Sequence, residues 1–180
     1  MNTLANKITF LRILLIPVFL VLAYTGHMYW ALAAFILACV TDFFDGYIAR
    51  SCHQITDVGK FMDPLADKVL VMAAMCYFVE AGRMPGWALA VVLLREFAVS
   101  GLRLIAVEQG RVIAAAKSGK IKTAATMICL CLMLYSPAPG IGDSAPDIVA
   151  QFSTVIILLT TVYSGIEYFY KNRDVFSVSK

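Results

Sequence analysis

An all-α integral membrane protein with six transmembrane helices is the fold class this 180-residue sequence predicts. Three observations carry the prediction. The chain is 61% hydrophobic and only 15% charged, with a mean hydropathy of +0.79, whereas a soluble domain is nearer half apolar and a quarter charged. About 20 apolar residues cross a bilayer as a helix, so the length holds about five to seven spans and no separate soluble domain. Six apolar runs alternate with short polar or Gly/Pro-bearing turns, without internal repeat or low-complexity tract, so one transmembrane domain over residues 1–180 is expected.

The first span is expected over about 9–24, after a polar start with Asn6, Lys7, Thr9 and Arg12. A cleaved signal peptide is not expected, because no small-x-small cleavage site precedes the next span. Thr25-Gly26-His27 is the turn into a second span over about 29–50, whose later turns carry Asp42 and Asp45. A polar loop over 51–60 leads to a third span at about 61–79, with Pro64 in its first turn, where a missing amide hydrogen costs little. The stretch 80–86 is a turn, and a fourth span follows at about 87–107, interrupted by Arg95, Glu96 and Arg103. The most basic stretch runs from Glu108 to Lys122; a fifth span is expected at about 121–135, a polar loop from Ser136, and a sixth span at about 148–168. With six spans, every lysine and arginine except Arg83 lies on or toward the side that carries both termini, although Arg95 sits deep in its span. The positive-inside rule makes that side cytoplasmic. The five cysteines are scattered without metal-binding spacing and read as buried structural thiols.

Four aspartates break the apolar pattern. Asp42 and Asp45 are spaced i, i+3, and Asp63 and Asp67 are spaced i, i+4, so on helices each pair shares a face. Two such helix ends brought together would gather four carboxylates in a small volume, which repel one another and are costly to desolvate near a bilayer. A divalent cation resolves this, and oxygen-only ligation suits hard ions such as Mg2+ or Mn2+. A two-metal carboxylate cluster can clamp a diphosphate and neutralise charge on a transferring phosphoryl group. The small residues Gly46, Ala49 and Gly59 would let a base or diphosphate approach the backbone, and Arg50 could pair with a phosphate. Close helix packing is the competing explanation for Gly46 and Ala49. Arg95, Arg103 and Lys120 form a second set that bundle closure could gather into an anion pocket, with Glu96 as countercharge to an arginine. Snorkelling to the interface is the alternative for Arg103 and Lys120.

These residues carry a resemblance. Asp42-x-x-Asp45-Gly46-x-x-Ala49-Arg50, followed by Gly59-x-x-x-Asp63-x-x-x-Asp67, resembles the signature of the CDP-alcohol phosphotransferases, with every signature position filled. Asn6-Lys7-Ile8-Thr9-x-x-Arg12, the stretch from Arg95 to Arg103, Gly119 to Thr123 and Ser164 to Tyr170 are similar to the bacterial branch that uses glycerol phosphate as acceptor. Ala5 departs from the proline usual before the asparagine, which bears on the N-terminal segment and not on the chemistry. The resemblance implies the CDP-alcohol phosphotransferase fold, a homodimer in a bacterial cell membrane and an active site facing the cytoplasm. The substrates would be CDP-diacylglycerol and sn-glycerol 3-phosphate, the products phosphatidylglycerophosphate and CMP. Asp42, Asp45, Asp63 and Asp67 would hold two Mg2+ or Mn2+ ions, with Asp67 also the catalytic base. Asn6, Thr9, Gly46, Ala49, Arg50, Thr56 and Gly59 would bind CDP-diacylglycerol, and Arg95, Arg103 and Lys120 the glycerol phosphate. No nucleic-acid partner is expected.

Three other readings compete. Another acceptor, such as inositol phosphate or serine, leaves the four aspartates unchanged, and only the basic stretch from Arg95 to Lys122 favours a phosphorylated one. Membrane prenyltransferases also use aspartate-bound magnesium and diphosphate but are longer. A divalent-cation transporter should place its acids near the midplane along a continuous path, whereas here they lie toward one edge beside a glycine-arginine signature.

Overall fold

A computed structural model describes the backbone of residues 4–52, 57–114, 116–137 and 145–176, and the side chains of 10–41, 65–66, 68–114, 116–137 and 146–175. The described residues form six α-helices: α1 (Leu4–Tyr24), α2 (Met28–Cys52), α3 (Asp57–Glu80), α4 (Gly86–Glu108), α5 (Lys117–Tyr135) and α6 (Ala145–Lys171). A 3-10 turn, Arg173–Phe176, follows. The order and number of helices match expectation; several boundaries do not. α1 begins at Leu4, α3 at Asp57 and α5 at Lys117, each four or five residues before the expected start. Pro64 therefore lies in the interior of α3 rather than in its first turn, and gives no amide to the carbonyl four residues earlier. Pro17 does the same inside α1.

The turns follow from local chemistry. α1 stops at Gly26, whose φ of 80° is open to glycine and strained for other residues. There Gly26 N–H donates to Ala23 O at 3.2 Å and His27 N–H to Leu22 O at 2.9 Å, which satisfies carbonyls the helix end leaves free. α3 and α4 end on the same paired hydrogen bonds, at Gly82 and Gly110. His27 is exposed in its turn, with Nδ1 3.0 Å from Thr25 Oγ1.

α1 packs on α2 and α3, α2 on α5, α5 on α6, and α6 on α4, while α3 touches α2, α4 and α5. The main core runs through α1, α2, α3 and α5 around Phe19, Phe35, Leu70, Met75, Phe78, Leu130 and Met133. A smaller cluster joins Val99, Leu102 and Ala106 of α4 to Tyr168 and Val175. α4 and α6 run toward the same end, since Arg103 meets Tyr168 and Gln109 meets Val175.

Around this apolar core, large apolar side chains are also exposed, and several polar ones are buried. Phe10, Trp30, Leu94, Phe97, Ile128, Phe152, Leu159 and Ile166 are each more than half exposed, whereas Arg12, Lys122, Thr126, Thr154, Thr161 and Ser164 are buried. Among the described residues, one stretch, Pro146–Lys171, is long and apolar enough to cross a membrane by length and composition, with mean hydropathy 1.6; Phe10–Tyr24 and Met28–Thr41 are shorter apolar segments. The described cysteines correct the expectation of buried thiols: Cys129 is buried, but Cys39 and Cys131 are half-buried and Cys76 is exposed, while the side chain of Cys52 lies outside the described residues. With apolar surroundings on both sides of a helix, hydropathy does not tell which way a thiol points.

Candidate active site

Helical register locates the aspartates. On α2 the buried residues are Ala31, Phe35 and Ala38. Steps of three and four residues continue that inward stripe to positions 42 and 45. On α3 the buried stripe contains Ala66, Leu70 and Ala74, and stepping back by the same intervals reaches positions 63 and 67. α2 and α3 touch each other and are joined through 53–56. Both pairs of positions therefore continue inward-facing rows at the joined ends of two contacting helices. The side chains of Asp42, Asp45, Asp63 and Asp67 lie outside the described residues, as do those of Asn6, Thr9, Gly46, Ala49, Arg50 and Gly59 on their helices, and Thr56 altogether. Among the described residues, no group of three or more His, Cys, Asp or Glu could hold a metal ion. The fit to a divalent metal rests on the register of α2 and α3 and on the donor set, four carboxylates without a nitrogen or sulfur ligand.

α1 contributes from its own inward stripe. Arg12, Ile16, Phe19 and Ala23 are buried at helical spacing, and Arg12 is 0% exposed. Counting back from the 25–27 turn at equal rise puts Arg12 about level with Val40 and Thr41 of α2, one turn or less from Asp42. Arg12 stood in the amino-terminal motif without a role; its spacing from Ile16 and Phe19 was the signal that it faces inward.

The basic residues of α4, α5 and α6 divide into separate groups. Arg95 Nη1 donates to Glu96 Oε1 at 2.8 Å, and Lys122 Nζ donates to the same oxygen at 2.8 Å. Glu96 is thus the arginine's countercharge, as its place in the sequence suggested, and Lys122 is a partner the sequence did not single out. Arg103 Nε donates to the hydroxyl of Tyr168 at 3.0 Å, and its guanidinium carbon stands 5.6 Å from the centre of that ring. Arg103 itself is exposed and Tyr168 buried. Lys120 is exposed on the first turn of α5. Arg95 and Arg103 are eight residues apart on α4, about 12 Å along the axis. The structure thus joins Arg95 to Glu96 and Lys122 and Arg103 to Tyr168, and leaves Lys120 exposed, so the three sequence-predicted cations are not gathered into one contact group. Lys68, next to Asp67 in the chain, donates to Ser100 Oγ at 2.7 Å and ties α3 to α4.

An apolar groove runs beside the aspartate stripe. It encloses about 380 Å³ and is lined by Leu32, Ile36, Cys39 and Val40 of α2 and by Met127, Ile128, Cys131, Leu132 and Tyr135 of α5. Its near end, Val40, is two residues before Asp42. A chain anchored by a charged group at the aspartates could lie along it without meeting a polar atom.

Known proteins match this chain along nearly its whole length. The CDP-diacylglycerol–glycerol-3-phosphate 3-phosphatidyltransferase of Bacillus subtilis (strain 168) is 40% identical over 195 residues, covering 99% of this chain and 100% of that protein. The protein of the same name from Rickettsia typhi is 35% identical over 172 residues, covering 94% of this chain and 96% of its own. A probable phosphatidylglycerophosphate synthase of Mycobacterium tuberculosis (strain ATCC 25618 / H37Rv) is 34% identical over 171 residues, covering 92% of this chain and 79% of its own. The pattern that defines the CDP-alcohol phosphatidyltransferases matches residues 2–165. With the aspartate spacing intact on two contacting helices, the chain belongs to the CDP-alcohol phosphatidyltransferase family.

Proposed function

We propose that this chain transfers the phosphatidyl group of CDP-diacylglycerol to sn-glycerol 3-phosphate, giving phosphatidylglycerophosphate and CMP. The observation that carries the reading is the match over nearly the whole chain, at 40% identity, to a relative named for this reaction; it is supported by the register of α2 and α3, which carries their buried stripes toward positions 42 and 45 and positions 63 and 67. The groove between α2 and α5 supports a lipid-linked donor, since its apolar lining suits an acyl chain. The apolar exterior and buried polar residues support six membrane spans in one domain over residues 1–180. The charge asymmetry of the sequence supports an orientation with the aspartate end in the cytoplasm, and the bacterial relatives support a bacterial cell membrane. A homodimer is part of the proposal.

Asp42, Asp45, Asp63 and Asp67 are the residues that would hold two Mg2+ or Mn2+ ions. When bound, the ions neutralise charge on the diphosphate and on the departing CMP. The acceptor hydroxyl oxygen forms a bond to the phosphorus bearing diacylglycerol. The bond from that phosphorus to CMP breaks, its electron pair leaves with CMP, and the hydroxyl proton passes to Asp67. A carboxylate is a weak base for an alcohol, so proton removal is a modest contribution and positioning the larger one. Asn6, Thr9, Gly46, Ala49, Arg50, Thr56 and Gly59 are assigned to the CDP end of the donor, and Arg95, Arg103 and Lys120 to the acceptor phosphate.

The test is CMP release by the purified protein with Mg2+ or Mn2+ and a panel of acceptors. Release that depends on glycerol 3-phosphate supports the proposal. Release with inositol phosphate or serine instead moves the assignment to another acceptor, and no release with any alcohol, together with metal flux in liposomes, points to a transporter.

A further inference from the structure

Arg95, Glu96 and Lys122 form a group of two cations and one anion, of which the transfer step uses only Arg95. Their side chains are 13%, 15% and 6% exposed, and both cations donate to the single oxygen Glu96 Oε1 at 2.8 Å. Such a group is a poor source of stability, because removing three charges from water costs several kcal/mol per ion before their attraction offsets it. Its geometry suggests a positional role. Arg95 and Glu96 are neighbours in sequence, so they leave α4 about 100° apart and do not face each other by default. Pairing draws the guanidinium sideways, toward α5 and α6. On that path a Cβ at Gly165 of α6 would lie 3.3 Å from Arg95 Cγ, and a Cβ at Gly119 of α5 would lie 3.6 Å from Arg95 Nη2. The arginine thus occupies a corridor lined by two glycines. Among the described residues its buried Nε has no hydrogen-bond partner. Lys122, on α5, donates to the same Glu96 oxygen and so ties the carboxylate to a second helix.

We infer that Glu96 is a positioning residue: braced by Lys122, it aims the Arg95 guanidinium at the first turn of α5, and through Arg95 it sets the affinity for the acceptor's phosphate. The inference rests on the assignment of Arg95 to the acceptor site.

The test uses the purified full-length protein and initial rates of CMP release, with glycerol 3-phosphate and CDP-diacylglycerol varied separately. Glu96→Gln removes a negative charge beside an arginine, so electrostatics alone lowers the KM for glycerol phosphate. Positioning predicts the reverse: a rise of about tenfold, the worth of one charge-assisted hydrogen bond, with kcat and the CDP-diacylglycerol KM within about twofold. In an Arg95→Ala background, Glu96→Gln adds less than about twofold, because it acts through the missing side chain. Gly165→Ala changes no charge and crowds Arg95 Cγ; it raises the same KM by about threefold or more, and it tests the inference even if Glu96→Gln does not fold. A fall in the KM in Glu96→Gln, or an effect that persists in the Arg95→Ala background, overturns the inference. So does a rise in both KM values together with a lowered unfolding temperature, which marks a merely structural role. An unchanged acceptor KM in Arg95→Ala alone is a different failure: it removes Arg95 from the acceptor site and the inference with it.

Discussion

Tyr168→Phe isolates one hydrogen bond. Tyr168 is 2% exposed, and its hydroxyl accepts from Arg103 Nε at 3.0 Å. Phenylalanine keeps the ring, its packing against Val99 and Leu102, and the cation–π contact with Arg103. Only the oxygen is lost. A hydrogen bond to a charged group contributes about 1.5–3 kcal/mol net when both partners are dry. Arg103 is exposed, so water replaces part of the lost bond, and about 1 kcal/mol is the appropriate scale, roughly fivefold in an equilibrium. If Arg103 holds the acceptor phosphate, this appears as a rise of about fivefold in the glycerol 3-phosphate KM, with the CDP-diacylglycerol KM unchanged. The assay is CMP release in detergent micelles at saturating CDP-diacylglycerol. Arg103→Ala, which removes the guanidinium itself, gives a larger rise in the same parameter. A Tyr168→Phe enzyme with the parental KM, beside an Arg103→Ala enzyme with a raised one, would refute the reasoning that the phenol aims the arginine. Equal effects of Arg103→Ala on both KM values would place Arg103 outside the acceptor site.

Asp67→Asn keeps the size and shape of the side chain and removes its basicity; turnover falls by about 100-fold or more while CDP-diacylglycerol still binds in an equilibrium assay. Near-normal turnover in that variant removes Asp67 from the role of base. Chelation of divalent ions stops CMP release, and adding back Mg2+ or Mn2+ restores it; activity that survives exhaustive chelation contradicts the carboxylate–metal reading. Phe35→Ala opens a cavity beside Phe19, whose ring centre is 5.7 Å away, and costs about 3–5 kcal/mol of stability. Its thermal unfolding in detergent shifts down while both KM values stay near those of the parent; an unshifted transition means that Phe35 is not packed as described.

The sequence resolved the number and order of helices because apolar runs and glycine turns are local features. The glycines at 26, 82 and 110 each stop a helix by a conformation that belongs to glycine. Helix starts were harder to read. Hydropathy marks where side chains tolerate an apolar environment, and backbone hydrogen bonding continues past that point. Lys117 and Lys120 are helical residues of α5, and Asp57 begins α3, although each lies beyond its apolar run. Glu96 was legible as a countercharge because a carboxylate inside an apolar span needs a cation and its helix carries two arginines, although adjacent helical positions do not by themselves face each other. Lys122 as a further partner was not, because a contact between α4 and α5 depends on how the helices cross, and spacing along one helix does not encode that.

The apolar residues also say little about which face of each helix is inward, since both faces are apolar. The polar residues carry that information instead. On α5, Lys122 and Thr126 are buried one turn apart, in line with Cys129 and Met133. On α6, Thr154, Thr161, Ser164 and Tyr168 are buried at helical spacing together with Ile157. The same period runs through Arg12 on α1, and helical register extends it toward positions 42 and 45 on α2 and 63 and 67 on α3. In an apolar chain a polar residue on the inward stripe must find a partner or a ligand, because lipid supplies neither. Chemistry-bearing residues thus accumulate on helical stripes rather than on loops. A site built on helices moves less than one built on loops, and it suits a reaction whose rate comes mainly from holding two charged substrates in line.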